Sequence, residues 1–129
     1  DVYKRQLVLG TGGASQAVQY VLAQMEIPFD LVSRNPATGN YTYDEVSDEV
    51  IGSHRLIINA SPVGMHPNVE EAPRIPYAFV TPSHYLFDLI YNPAETLFLQ
   101  YGAQRGAHTC NGLDMLVGQA EAAWAIWNR

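Results

Sequence analysis

Cysteine is all but missing from this chain. Cys110 is the only one among 129 residues, so no disulfide can form within it. Lysine is as scarce, with Lys4 the sole example, and seven basic residues face thirteen acidic ones. The resulting formal net charge of -6 argues against a nucleic-acid partner, whose phosphates demand a basic surface. No apolar run approaches the ~20 residues that a membrane span needs, and no signal-peptide pattern opens the chain. Internal repeats and low-complexity tracts are absent as well. With 47% hydrophobic and 16% charged residues, what is left is one globular domain able to bury roughly two-thirds of its unfolded surface. The thiol content suits a reducing compartment, and a cytoplasmic location is expected.

What the chain does have begins at Leu7-Val8-Leu9-Gly10-Thr11-Gly12-Gly13-Ala14-Ser15. A short apolar run breaks into glycines and then into helical spacing. Such a turn carries backbone N–H groups up to a pyrophosphate. Gly10 permits the tight turn, Gly12 leaves room for the phosphates, and the helix N-terminus favours negative charge. Ser15 stands where a third Gly or Ala is usual, which predicts slightly wider spacing between helix and strand. An ordinary structural turn is the alternative for so short a pattern.

Downstream, Ala17, Val18, Val21, Leu22 and Met25 recur at helical spacing and predict one buried face, closed by Pro28. Phe29–Ser33 reads as a second strand and 35–40 as a loop. A helix is expected over Tyr43–Ile51 and a strand over Arg55–Asn59. The stretch 61–76, broken by Pro62, Pro67, Pro73 and Pro76, is too long for a plain connector, and such loops are usually functional or mobile. A short helix or turn follows at Tyr77–Val80, then a strand at Tyr85–Ile90, a helix at Thr96–Arg105, and a last strand at Ala107–Cys110. From Gly112 to Trp127 the apolar residues again form a helical stripe. Strands alternating with helices predict an α/β, Rossmann-like, doubly wound and mainly parallel sheet covered on both faces. Its ligand is expected at the carboxyl ends of the strands.

In dinucleotide folds the end of the second strand meets the adenine ribose. A carboxylate there favours NAD, and an Arg accommodates the 2′-phosphate of NADP. This chain has Ser33-Arg34-Asn35, with no carboxylate. Arg34 can grip a phosphate with its planar fork, and Ser33 and Asn35 can add neutral hydrogen bonds. The expected cofactor is NADP, a solvated surface Arg being the alternative.

Three more segments narrow the reading: Asn59-Ala60-Ser61-Pro62-Val63-Gly64-Met65; Asp88-Leu89-Ile90-Tyr91-Asn92-Pro93 with Thr96 and Leu99; and Asn111-Gly112-Leu113-Asp114-Met115-Leu116 with Gln119. In this order after the glycine loop, they resemble the C-terminal domain of shikimate dehydrogenase, over 7–129. The resemblance implies NADP-dependent, reversible reduction of 3-dehydroshikimate to shikimate in aromatic amino-acid (chorismate) biosynthesis. It implies that Gly10, Gly12, Gly13 and Ala14 hold the pyrophosphate and that Ser33, Arg34 and Asn35 form the ribose-phosphate segment. That segment is usually Asn-Arg-Thr, so Arg34 is left as the main determinant. Ala60, Ser61, Val63 and Met65 would line the nicotinamide side, and Leu89 and Gly112 would contact its end. Tyr91 would bind the substrate carboxylate and Gln119 its ring hydroxyls.

The family's catalytic Lys and Asp, which come from an N-terminal substrate domain and the segment entering this one, have no counterparts here. The fragment is therefore expected to bind NADP without turnover. Residues 1–6 resemble the in-frame translation of a transposase adapter and are expected to be non-native, with a natural polar N-terminus as the alternative. His54, His66, His84 and His108 lack metal-ligand spacing and are expected at the surface or in loops. Cys110 has no activating neighbour in sequence and reads as a buried small residue. Asp88 is expected to anchor a loop through backbone hydrogen bonds. Exposure of Trp124 and Trp127, with the substrate domain missing, would leave an apolar patch prone to self-association. The competing functions are a quinate/shikimate dehydrogenase and a non-catalytic NADP-binding module.

Overall fold

The computed structural model describes residues 5–90 and 92–112. Within them, β1 (Gln6–Leu9), β2 (Phe29–Val32), β3 (Leu56–Asn59), β4 (Tyr85–Asp88) and β5 (His108–Cys110) form one sheet of five strands, ordered β2-β1-β3-β4-β5. Every pairing is parallel. Three α-helices accompany them: α1 (Gly13–Gln24), α2 (Asp48–Ser53) and α3 (Leu97–Gln104).

The central strands read as continuous apolar runs because both faces of the sheet are covered. Leu7, Leu9, Ile57 and Leu86 point to one side, where Ile51 of α2 and Phe98 and Leu99 of α3 pack on them. Val8, Leu56, Ile58 and Phe87 point to the other, against Leu22 of α1. Each such side chain contributes on the order of 1.5–3 kcal/mol of burial. The expected doubly covered parallel sheet is what forms.

Several local expectations need correcting. The helix expected over Tyr43–Ile51 splits into a 3-10 turn at Tyr43–Glu45 and α2. Thr42 N–H donates to Glu45 Oε1 at 2.7 Å, and Ser47 Oγ accepts from Val50 N–H at 3.3 Å. Two caps so close together cannot serve one helix. On α1, Leu22 is buried and Val18 and Met25 half-buried, but Ala17 and Val21 face solvent. The buried stripe runs instead through Ser15, a narrower arc than the apolar pattern drew. Ser33, Arg55, Leu89, Ile90 and Ala107 lie just outside the strands expected to include them. The apolar stripe beyond Gly112 lies outside the described residues.

His54 and His84 are buried, not on the surface. His54 Nδ1 lies 2.6 Å from Val50 O, and its Nε2 lies 2.7 Å from Asp30 Oδ2. His84 Nε2 lies 2.8 Å from Ile51 O, and its Nδ1 accepts from Thr81 N–H at 3.0 Å. Both rings close polar gaps between elements. Cys110 is half-buried. Gln6 belongs to β1, within the expectation that the first strand borrows one or two of residues 1–6, and Arg5 also takes part in the fold. Gln6 N–H donates to Pro28 O at 3.0 Å, and the Arg5 guanidinium pairs with Asp30 at 3.2 Å. Among the described residues, no helix is long and apolar enough to cross a membrane.

Candidate functional site

The sheet reverses its direction of winding between β1 and β3, and the loops after these two strands part around a cleft of about 1620 Å³. They are locked side by side beneath it. Gly10 has φ +103°, and a Cβ there would lie 3.1 Å from the backbone N and Cα of Ser61. Only glycine meets both demands. Ala60 N–H donates to Leu9 O at 2.9 Å, and Gly10 N–H to Val32 O at 2.8 Å, so three loops share one floor.

Helix α1 opens into this cleft with its N-terminus uncovered. Its N-cap, Gly12, offers no side-chain hydrogen bond, and no acidic residue occupies its first turn. By contrast, Ser47 caps α2 and Thr96 caps α3. A Cβ on Gly12 or on Gly13 would meet nothing within 4 Å. Unspent N–H groups, the positive helix end and empty space together make a seat for an anion. Ser15, just behind, is fully buried, and its hydroxyl accepts from Gln19 Nε2 at 3.0 Å, so the helix tolerates a polar atom there.

At the end of β2, Ser33 is buried, with Oγ 2.7 Å from Thr38 Oγ1 and accepting from Asn35 N–H at 3.1 Å. Asn35 Oδ1 accepts from Ala37 N–H at 3.0 Å. These two side chains shape their own turn. Arg34 projects exposed beside them on the cleft wall and makes no salt bridge among the described residues.

A buried polar network fixes the ends of β3 and β4. Asn59 Nδ2 donates to Asp88 Oδ1 at 3.2 Å and to Val63 O at 3.2 Å, while Asn59 Oδ1 accepts from the Ser61 hydroxyl at 2.6 Å. Asp88 also accepts from Ile90 N–H at 3.0 Å and from Thr96 Oγ1 at 2.6 Å. Burial pushes the Asp88 carboxyl above its ordinary range, and hydrogen bonds from Thr96, Ile90 and Asn59 oppose that shift. Asp88 anchors loops as expected, through side chains as well as backbone, and it does not reach the cleft.

The cleft thus gathers Gly10, Gly12, Gly13, Ala14, Ser33, Arg34, Asn35, Ala60, Ser61, Val63, Met65 and Leu89 from separate loops. Met65 lies 46% exposed against it rather than in the core. Gly112 does not line it but packs on the strand end that does. A Cβ at Gly112 would overlap the Leu89 carbonyl oxygen, and Gly112 N–H donates to Ile90 O at 3.2 Å. Tyr91 and Gln119 lie outside the described residues.

Sequence reasoning missed Tyr43, Thr38 and the far wall made by His66, Glu70, Glu71 and Arg74. The wall forms because Gly64, at φ +99°, folds the proline-rich loop so that a Cβ there would lie 3.0 Å from Glu71 O. His66 N–H pins the loop to Asn92 O at 3.0 Å. The length of the loop was the only signal for it. Tyr43 is half-buried and lines the same cleft as Ser61. Burial raises its pKa, with Ser61 and the Arg34 charge acting the other way, so the phenol stays neutral. Among the described residues, no cluster of three or more His, Cys, Asp or Glu could hold a metal ion.

No family model matches the chain. Curated relatives do. The NADP(+) shikimate dehydrogenase of Methanococcus maripaludis is 36% identical over 140 residues, covering 98% of this chain and 50% of that protein. A chorismate mutase/shikimate 5-dehydrogenase fusion protein from Clostridium acetobutylicum aligns with TM-score 0.72 at 38% identity, over 98% of this chain and 47% of its own. The shikimate 5-dehydrogenase of Thermus thermophilus, solved with NADP(H) and shikimate, gives TM-score 0.75 at 27% identity, over 98% of this chain and 50% of its own. The chain spans about half the length of the curated relatives it matches.

Proposed function

We infer that this chain, which belongs to the shikimate dehydrogenase family over the half of that family's length it spans, is the part that binds NADP. In the intact enzyme it would form one wall of the site where 3-dehydroshikimate is reversibly reduced to shikimate. The observation that carries this is the pairing of an uncapped α1 N-terminus with an exposed, unbridged Arg34 at the end of β2, both on one cleft. Two anionic groups on one ligand, a pyrophosphate and a ribose 2′-phosphate, match those two poles.

The residues present fit such a cofactor. Gly12 and Gly13 let the N–H groups of α1 close on the pyrophosphate, and Arg34 grips the 2′-phosphate with a charged fork. Ser33 and Asn35 hold the turn that presents Arg34. Ala60, Ser61, Val63, Met65 and Leu89 line a largely neutral part of the cleft, and Gly112 holds Leu89 in place. When bound there, NADPH supplies the hydride. Tyr91 would bind the substrate carboxylate and Gln119 its hydroxyls. Reduction of a ketone also needs a proton for the developing alkoxide, and the family resemblance assigns that donor to a Lys and an Asp outside the half this chain spans. The intact enzyme draws it from its other half, so these 129 residues bind NADP without turning over substrate.

Calorimetric titration with NADP and NAD tests this. NADP binds more tightly than NAD, and Arg34→Ala weakens NADP by about tenfold or more, since a charge-assisted contact contributes ~1.5–3 kcal/mol. NAD affinity stays within about twofold. Equal affinity for both nucleotides, or indifference to Arg34→Ala, refutes the assignment.

A further inference from the structure

Five arginines lie among the described residues, and three of them have a hydrogen-bonded guanidinium. Arg5 pairs with Asp30 at 3.2 Å, and Arg55 donates to Ser83 O at 3.4 Å. Arg105 donates to Ala78 O at 2.8 Å and to Val80 O at 3.3 Å. The other two, Arg34 and Arg74, are exposed and make no hydrogen bond or salt bridge among the described residues. Those two are the ones that line the cleft.

Arg74 is held on the cleft wall by its neighbours rather than by its own side chain. Pro73 and Ile75 are buried on either side of it. Pro73 O accepts from the Tyr77 hydroxyl at 2.7 Å and from Ile75 N–H at 3.0 Å. Ile75 belongs to the apolar cluster on the α2 face of the sheet. The same cluster holds Val32, the last residue of β2, with Tyr41 and Tyr43 from the loop that follows Arg34. Ser33 N–H donates to Tyr41 O at 2.9 Å, so that loop folds back on the strand it left. The segments carrying the two arginines are thus anchored in one cluster, on the face opposite α1.

The anion expected at the end of β2 is short of partners. A phosphate monoester carries close to two negative charges. Ser33 Oγ and Asn35 Oδ1 are spent on their own turn, which leaves Arg34 as the charged donor there. Glu70 and Glu71 line the far wall with Arg74 but bridge to neither arginine. Their charges repel a phosphate, and Arg74 is the only arginine or lysine on that wall to offset them. The pyrophosphate, by contrast, has the N–H groups of α1 on the other face.

Resting on the NADP assignment, we propose that Arg74 is the second guanidinium on the ribose 2′-phosphate. It closes on that group from the proline-rich loop, while Arg34 holds it from the end of β2. Arg74 is then a specificity residue for NADP over NAD, which has no 2′-phosphate for it to meet.

The test titrates the full chain and its Arg74→Ala variant with NADP, NAD and adenosine 2′,5′-bisphosphate. Arg74 is exposed and unbonded, so its truncation leaves the fold intact. Arg74→Ala weakens NADP and the bisphosphate by about 3- to 10-fold and leaves NAD within about twofold. With Arg34→Ala added, NADP binds no better than NAD. Unchanged NADP affinity in Arg74→Ala overturns the proposal, and so does a double variant that still prefers NADP. An equal loss for NADP and NAD also overturns it, because Arg74 then acts on the part the two nucleotides share. If Arg34→Ala weakens NADP and Arg74→Ala does not, the NADP assignment stands and this inference alone falls. An unmodified chain that binds none of the three ligands refutes the NADP assignment itself, and this inference with it.

Discussion

Gly13→Ala separates what the glycine loop does for the fold from what it does for a ligand. Gly13 is the first residue of α1, and a Cβ there meets no heavy atom within 4 Å. The protein therefore gives no steric reason for glycine. Alanine is favoured over glycine in a helix by about 0.8–1 kcal/mol, partly because the unfolded chain loses freedom. At a helix end about half of that is a fair expectation, or a rise in thermal midpoint of about 1.5–2 °C. The same methyl projects into the space where α1 presents its unspent N–H groups. If a pyrophosphate sits there, the added group holds it off the backbone and NADP affinity falls by at least about tenfold, ~1.4 kcal/mol. Stability and affinity thus move in opposite directions. A thermal melt and a calorimetric titration on one preparation measure both. A variant that binds NADP as the parent does refutes the placement of the phosphates. A destabilised variant refutes the claim that the glycine is free of fold constraints.

Gly112→Ala is the converse case. Its Cβ would overlap the Leu89 carbonyl oxygen and lie 2.7 Å from the Leu89 carbonyl carbon, so backbone must shift. We expect a loss of about 1–3 kcal/mol in urea unfolding together with weaker NADP binding, and a silent substitution refutes the packing argument. Gln6 is 3% exposed, and its Oε1 is buried without a hydrogen-bond partner among the described residues. Gln6→Met keeps the volume, removes the orphan acceptor and raises the unfolding midpoint by the equivalent of ~1–3 kcal/mol, whereas a lower midpoint refutes it. Asp88 titrates above its ordinary value of 3.8 because of burial, so the unfolded chain gives up that proton first as pH rises. Its contribution to stability therefore falls from about pH 4 upward through the raised pKa and then levels off. Asp88→Asn removes this slope. Urea midpoints across that range should show the parent losing ground to the variant as pH increases, and the opposite trend overturns the sign.

The sheet was legible because its strands announce themselves. Leu7-Val8-Leu9 and Leu56-Ile57-Ile58 are apolar without alternation, which only a doubly covered sheet explains. The glycine loop and Arg34 were legible because their chemistry is local. A turn, a helix start and a guanidinium at a strand end need no knowledge of distant neighbours. What escaped was set by long-range contact. Tyr43 looked like the start of a helix, and only its packing against the core brings it onto the cleft wall. His54 and His84 gave no local sign of burial, since their acceptors come from Asp30, Val50 and Ile51. Ser33 looked like a free phosphate ligand until Thr38 folded back onto it. For the histidines and Ser33, a polar side chain was assigned to solvent or to a ligand, and a neighbour remote in sequence or hidden in a turn had taken that place.

The sheet order also bears on how the chain reaches its native state. Of the strands of this sheet β1 is made before its neighbours and sits between β2 and β3, so its second partner does not exist until Leu56–Asn59 leaves the ribosome. Until then Leu7, Val8 and Leu9, all fully buried at the end, have one side of the strand open to solvent and to other chains. Non-local parallel pairing of this kind closes slowly and exposes adhesive surface while it does so. Once closed, β1 cannot be reached without parting the sheet on both sides, so its amides should be among the last to exchange with deuterium. The strand that carries the glycine loop is thus exposed while its partner is awaited and well protected afterwards.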